Sequence, residues 1–172
     1  MGTVKRANRA ARKKAGKARR REGVELTVQR ATRARAVPSE KHFGRWVRAA
    51  LDAGARVTVR LVGMREGRKL NRAYRGRDYA TNVLTFVLDD GPPYDGDLVL
   101  CAPVVSREAR AQDKDLMAHY AHLTIHGVLH LRGYDHERGP DAAKMEKLEI
   151  RILKRLGYPD PYTLPEYGRQ PQ

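Results

Sequence analysis

The run His126-Gly127-Val128-Leu129-His130-Leu131-Arg132-Gly133-Tyr134-Asp135-His136 spaces three histidines as ligands to one metal ion are spaced. Residues four apart on an α-helix share a face, so His126 and His130 can offer two imidazole nitrogens to the same point. Gly133 can adopt the left-handed backbone that ends the helix, and His136 then reaches the site from outside it. Three protein ligands with an open fourth position predict a catalytic zinc, and imidazoles also suit other divalent transition metals. His122 makes a competing trio with His126 and His130. Along a straight helix His122 and His130 are about 12 Å apart, too far for one ion. His122 and His119 are therefore expected to support or pack against the ligands. Asp135 is expected to orient a ligand imidazole through its second ring nitrogen, with Glu137 a weaker candidate. The plain alternative is that histidines in so apolar a stretch only satisfy the core; the third histidine beyond a glycine favours metal binding.

The segment departs from the H-E-x-x-H-x-x-G-x-x-H pattern of metzincin peptidases at one place, where Gly127 replaces the catalytic Glu. A metal hydrolase without the ordinary peptidase base is the expectation. The ion would lower the pKa of a bound water or polarise a phosphoryl oxygen. Three neutral ligands leave its full charge on the site, which favours an anionic substrate such as a phosphodiester. Charge building on the phosphoryl oxygens calls for a guanidinium, which stays ionised and engages two oxygens at once.

Several elements must position these residues. Val24–Gln29 alternates as a half-buried strand, and Val57, Val59 and Leu61 mark a second. Between them Ser39 can cap a helix with Phe43, Trp46, Val47, Ala50 and Leu51 on its apolar face. A helix through Leu70 and Tyr74 precedes two buried strands, 83–88 and 98–100. Pro103 opens another helix, residues 115–131 form the metal-bearing one, and the last places Met145, Leu148, Ile152 and Leu156 on the core and stops at Gly157. The expected fold class is α+β, a small, mostly four-stranded sheet covered by about five helices with a zincin-like metal-bearing helix.

The chain has 172 residues and a net charge of +15. Residues 1–21 hold ten of its basic side chains (Lys5, Arg6, Arg9, Arg12, Lys13, Lys14, Lys17, Arg19, Arg20 and Arg21) and no acidic one. With little to bury, residues 1–23 read as a disordered basic arm suited to phosphate contacts on RNA; a solubilising tail is the alternative. Residues 24–162 read as the hydrolase domain, and the Pro- and Tyr-rich stretch beyond Pro159, with 163–172 as a flexible tail, as loose. A single cysteine, Cys101, excludes an intrachain disulfide and suits a reducing compartment. No stretch is long enough for a membrane span and the N-terminus lacks a secretory core, so the expected location is the cytoplasm.

Taken with the preceding Ala121-His122-Leu123-Thr124-Ile125, the histidine run resembles the signature of the YbeY family of metal-dependent endoribonucleases. Two further segments, 70–78 with 81–86 and 96–100, are similar to the family in order and spacing, covering roughly Val24 to Tyr162. The resemblance implies one Zn²⁺ on His126, His130 and His136, and Arg75 in the place of the family's functional arginine, stabilising negative charge. It implies cleavage of single-stranded RNA in ribosomal RNA processing, including 3′-end maturation of 16S rRNA, and in ribosome quality control. Ribosome or small-subunit proteins are the implied partners. Either a metal-activated water or a ribose 2′-hydroxyl would attack the phosphodiester. Thr85 stands where the family has Ser, and Ala80 and Val87 where it has Pro. A zincin-like metallopeptidase and a non-catalytic ribosome-associated metal protein are the alternatives; the oligomeric state is left open.

Overall fold

A computed structural model describes residues 2–5, 23–135 and 139–163. In chain order the elements are β1 (Gly2–Lys5), β2 (Val24–Ala31), α1 (Glu40–Ala50), β3 (Ala55–Val62), α2 (Met64–Arg75), β4 (Val83–Asp89), β5 (Tyr94–Cys101), α3 (Ala102–Ala111), α4 (Leu116–Leu131) and α5 (Gly139–Arg155). The α+β class is as expected, with strands β2 to β5 forming a mixed sheet packed by five helices. β2 pairs parallel with β3 and β3 with β5, whereas β4 and β5 form an antiparallel pair in which Thr85 faces Leu98.

One sheet edge departs from expectation. Gly2–Lys5, assigned by the sequence to a disordered arm, pairs in parallel with Leu84–Val87 as a fifth strand. The edge of β4 would otherwise present unpaired backbone donors and acceptors, and a short segment containing the strand formers Thr3 and Val4 can satisfy them. The remaining basic residues, Arg6, Arg9, Arg12, Lys13, Lys14, Lys17, Arg19, Arg20 and Arg21, lie outside the described residues.

Helices cover both faces of the sheet, so β4 reads as an almost continuous apolar run. Val83 and Val87 join the larger core with α1, α4 and α5, while Leu84 and Phe86 join Val62, Val99, Cys101 and Leu70 on the α2 side. In α1, Phe43, Trp46, Val47 and Ala50 are wholly buried. Each large side chain among them contributes about 1.5–3 kcal/mol. Ser39 is the N-cap, but its hydroxyl pairs with His42 Nδ1 at 2.8 Å rather than with a backbone amide.

α4 is the central element. Asp115 caps it by accepting from the Ala118 amide at 2.8 Å, and every residue from His119 to Leu131 is buried. Gly127 lets it approach the sheet, since a Cβ there would lie 2.6 Å from Leu98 Cδ2 and 3.1 Å from Thr85 Oγ1. At its end Gly133 takes a φ of 89°, and the Tyr134 amide donates to the Leu129 carbonyl at 3.1 Å.

Residues 159–163, whose composition suggested a loose stretch, pack against the start of α4. Pro161 is buried and its carbonyl accepts from Lys114 Nζ at 2.7 Å, because the turn after Gly157 returns the segment onto the start of α4. Residues 164–172 lie outside the described residues.

Candidate metal centre

Helical spacing brings His126 and His130 together as anticipated. Their Nε2 atoms lie 3.0 Å apart and their rings meet edge to face at 4.6 Å. What faces the other ring nitrogens fixes the tautomers. His130 Nδ1 is 2.9 Å from the Tyr134 carbonyl oxygen, which only accepts, so this nitrogen carries the proton. His126 Nδ1 is 2.6 Å from Glu149 Oε1. Glu149 is wholly buried. Burial by itself would raise its carboxyl, but hydrogen bonds and charge from His122 and His126 outweigh that and hold it down at about 2. An ionised carboxylate only accepts, so His126 Nδ1 also carries the proton.

With both rings neutral, as metal ligands must be, the two Nε2 atoms carry the lone pairs, and they converge. Two lone pairs at that separation repel unless a cation serves both, and a divalent ion at ordinary Zn–N distances of about 2.0–2.1 Å reaches both. The residues present fit a metal. The described residues also hold a second grouping, His122, His126 and Glu149, whose ligand atoms lie within 4.8 Å of one another.

Glu149 is itself held in place. Its Oε2 is 3.3 Å from His122 Nε2 and accepts from the Tyr162 hydroxyl, which is also 3.4 Å from His122 Nε2. His122 thus sits behind the carboxylate that sits behind His126. His119 belongs to a separate polar cluster, with its Nε2 2.9 Å from Glu108 Oε2, which also accepts from Asn82 Nδ2 at 2.9 Å.

His136 and Glu137 lie outside the described residues. Asp135 is half-buried on the wall of a cavity of about 320 Å³ with Asp52, Tyr94, Arg132 and Lys144. Arg75 is the last residue of α2, next to Tyr74, whose ring packs edge-on against Phe86 at 5.0 Å. Among the described residues no hydrogen bond or ion pair joins Arg75 to the histidines. Gly127, at the place of a zincin Glu, faces the sheet, so a longer side chain there would meet Leu98 and Thr85.

The sequence reading missed Glu149, Tyr162 and the Tyr134 carbonyl. A signal for Glu149 existed. Met145, Glu149 and Ile152 are spaced four and three apart, as good a helical stripe as the one drawn through Leu148.

The sequence profile of the family described as endoribonuclease YbeY matches residues 25–157. The chain is 58% identical over 139 residues to a Nitrosomonas eutropha protein named endoribonuclease YbeY, covering 81% of this chain and 99% of that protein. It is 60% identical over 142 residues to the Aromatoleum aromaticum protein of the same name, covering 80% of this chain and 92% of that one. A solution structure of a Thermotoga maritima protein aligns with a TM-score of 0.53 at 25% identity, covering 80% of this chain and 99% of that one. With most of its length matched by the family profile and by such relatives, the chain belongs to the endoribonuclease YbeY family.

Proposed function

We propose that the protein is a metal-dependent endoribonuclease that cleaves single-stranded RNA during ribosomal RNA processing, including 3′-end maturation of 16S rRNA and ribosome quality control. The observation that carries this reading is the convergence of His126 and His130 Nε2 atoms 3.0 Å apart, in a chain whose relatives are named endoribonucleases. His126 and His130, with His136 as the third ligand, would hold one Zn²⁺. This set is preferred to His122, His126 and Glu149, because Glu149 is already engaged by two histidines and the Tyr162 hydroxyl. When bound, the ion supplies Lewis acidity toward water and phosphoryl oxygen.

The chain's own residues do the rest. Glu149 and the Tyr134 carbonyl keep both Nδ1 atoms protonated and both Nε2 atoms directed at one point. Arg75, the last residue of α2, would place a guanidinium on the phosphoryl oxygens as their charge grows, and turnover tests it. The basic residues between Lys5 and Arg21 would contact RNA phosphates without reading sequence. Packing at Gly127 leaves no place for the carboxylate a peptidase would need at that position, which argues against that alternative. Among the described residues no helix is long and apolar enough to cross a membrane, and cytoplasmic action on ribosomal particles fits the proposed substrate.

Cleavage of a single-stranded ribosomal RNA precursor fragment tests the reading, with bound metal quantified in each preparation. His130→Ala should lose metal and cleavage together, and Arg75→Ala should keep the metal and lose turnover. Equal cleavage by wild type and His130→Ala would reject the metallonuclease.

A further inference from the structure

Ten of the chain's +15 net charges lie on residues 1–21, which leaves +5 for the rest. Six basic and two acidic side chains give residues 64–79 a net +4 of that. Helical periodicity places this charge on one side of α2. Gly67 and Asn71 are buried, Leu70 packs on the smaller core cluster, and the Tyr74 ring meets Phe86 at 5.0 Å. These positions, three and four apart, seat the helix on the sheet, where a Cβ on Gly67 would already lie 3.0 Å from Cys101 Sγ. Arg65, Arg68, Lys69 and Arg72 repeat with the same spacing on the opposite side, and all four are exposed.

Such a face does not serve the fold. Arg65 stands in the first turn, where the helix dipole disfavours a cation. Arg65 and Arg72 each lie three or four residues from both Arg68 and Lys69, and like charges at that spacing weaken a helix. The nearby carboxylates offset this only in part. Glu66 is engaged by Arg60 at 2.8 Å, while Asp78 accepts from Arg68 at 2.9 and 2.7 Å and lies 3.9 Å from Arg72. Among the described residues no carboxylate pairs with Arg65 or Lys69. A polyanion would offset the repulsion, and Tyr79 narrows its kind. The Asn71 side chain donates to the Tyr79 carbonyl at 2.7 Å and holds residues 76–79 at the flank of α2, where Tyr79 is 55% exposed. A protein interface has an apolar centre, and a membrane-surface helix has a bulky apolar face; the only exposed apolar residues of α2 are Met64 and Ala73. Cations beside an exposed aromatic ring suit a single nucleic-acid strand, whose phosphates meet the charges and whose bases stack.

We infer that the exposed face of α2 is a docking surface for single-stranded RNA, on which Arg65, Lys69 and Arg72 meet phosphates and Tyr79 stacks a base. The inference rests on the ribonuclease reading for the identity of the polymer. Placement agrees, because the surface shares its helix with Arg75. At 1.5 Å per residue, Arg65 lies about 15 Å along the axis from Arg75. RNA held along this face is led to the guanidinium proposed to act on its phosphoryl oxygens.

Fluorescence anisotropy of a labelled single-stranded 2′-O-methyl oligoribonucleotide tests this on the full-length, metal-loaded protein across a series of salt concentrations. The triple variant Arg65→Gln, Lys69→Gln, Arg72→Gln should reduce the slope of log affinity against log salt by about 2, since each phosphate contact on a single strand contributes about 0.7. Bound metal should be unchanged, and Tm should not fall, because like charges have been removed from one face. The charge-preserving pair Arg65→Lys, Arg72→Lys should keep the wild-type slope. Tyr79→Leu keeps an apolar side chain and removes the ring, so it should bind about fivefold or more weakly with the slope unchanged. A wild-type slope in the triple variant, or wild-type affinity in Tyr79→Leu, would overturn the surface. Polyglutamate of equal charge bound as tightly as the RNA would also overturn it, and would make the occupant an acidic protein segment. Cleavage of an unmodified precursor fragment by wild type separates the two failures. Cleavage with an unchanged slope in the triple variant sinks this inference alone, whereas a reduced slope without cleavage leaves the surface standing and sinks the nuclease reading.

Discussion

Glu149 works at one remove from the chemistry. It fixes which nitrogen of His126 carries a proton, and it is fixed in turn by His122 and Tyr162. Carboxylates in this position make an imidazole a stronger donor to a metal, and their loss typically weakens the metal 10–100-fold. Glu149→Gln, nearly isosteric and uncharged, should therefore lower metal affinity by roughly that factor while circular dichroism stays unchanged. Chelator competition measures it, and undiminished affinity would remove the positioning role. The histidine pair was legible because an i, i+4 spacing has one geometric meaning on a helix. Glu149 was not, because charged residues are rarely wholly buried unless paired, and its partners lie 23 and 27 residues away. Tyr162 was hidden for a similar reason, since a Pro- and Tyr-rich composition describes an unpacked tail until the surface it packs on is known.

At the scale of the element, α4 owes its depth to glycine. Gly127→Ala would put a methyl group 2.6 Å from Leu98 Cδ2, within the core rather than at a flexible surface. Overpacking of this kind costs about 1–3 kcal/mol, so thermal unfolding should shift down with it, and an unchanged Tm would show that the sheet yields freely. The junction of α3 with α4 gives a pH-dependent prediction. Burial works to raise the Glu108 carboxyl, yet hydrogen bonds from His119 and Asn82 outweigh it and hold it below its ordinary value of 4.5. A depressed carboxylate contributes stability that is present above that value and lost as pH falls through the lowered one. Wild type should lose its stability advantage over Glu108→Gln as denaturation is followed from neutral pH into that acidic range, and a constant gap would contradict the assignment. The helices were legible from their apolar stripes and caps. The pairing of β1 with β4 was not, because four residues carry no periodicity and their partner strand lies across the molecule.

For the whole molecule, charge and fold are separable. The family match begins at residue 25, after the ten basic side chains of residues 1–21. Replacing Arg9, Arg12, Lys13, Lys14, Lys17, Arg19, Arg20 and Arg21 with Gln leaves Gly2–Lys5 available to the sheet. It should weaken RNA binding and flatten the dependence of log affinity on log salt, with metal content unchanged. An unaltered salt slope would mean that the arm does not contact phosphate. The metal centre has a further property of arrangement. Its described components, from His122 to Tyr162, all come from the last third of the chain, whereas every strand of the sheet beneath them lies upstream. A chain emerging from its own ribosome at about 5–20 residues per second therefore exposes the complete sheet before α5 exists to supply Glu149. A protein proposed to cut ribosomal RNA thus lays down its scaffold first and completes its cutting site only afterwards.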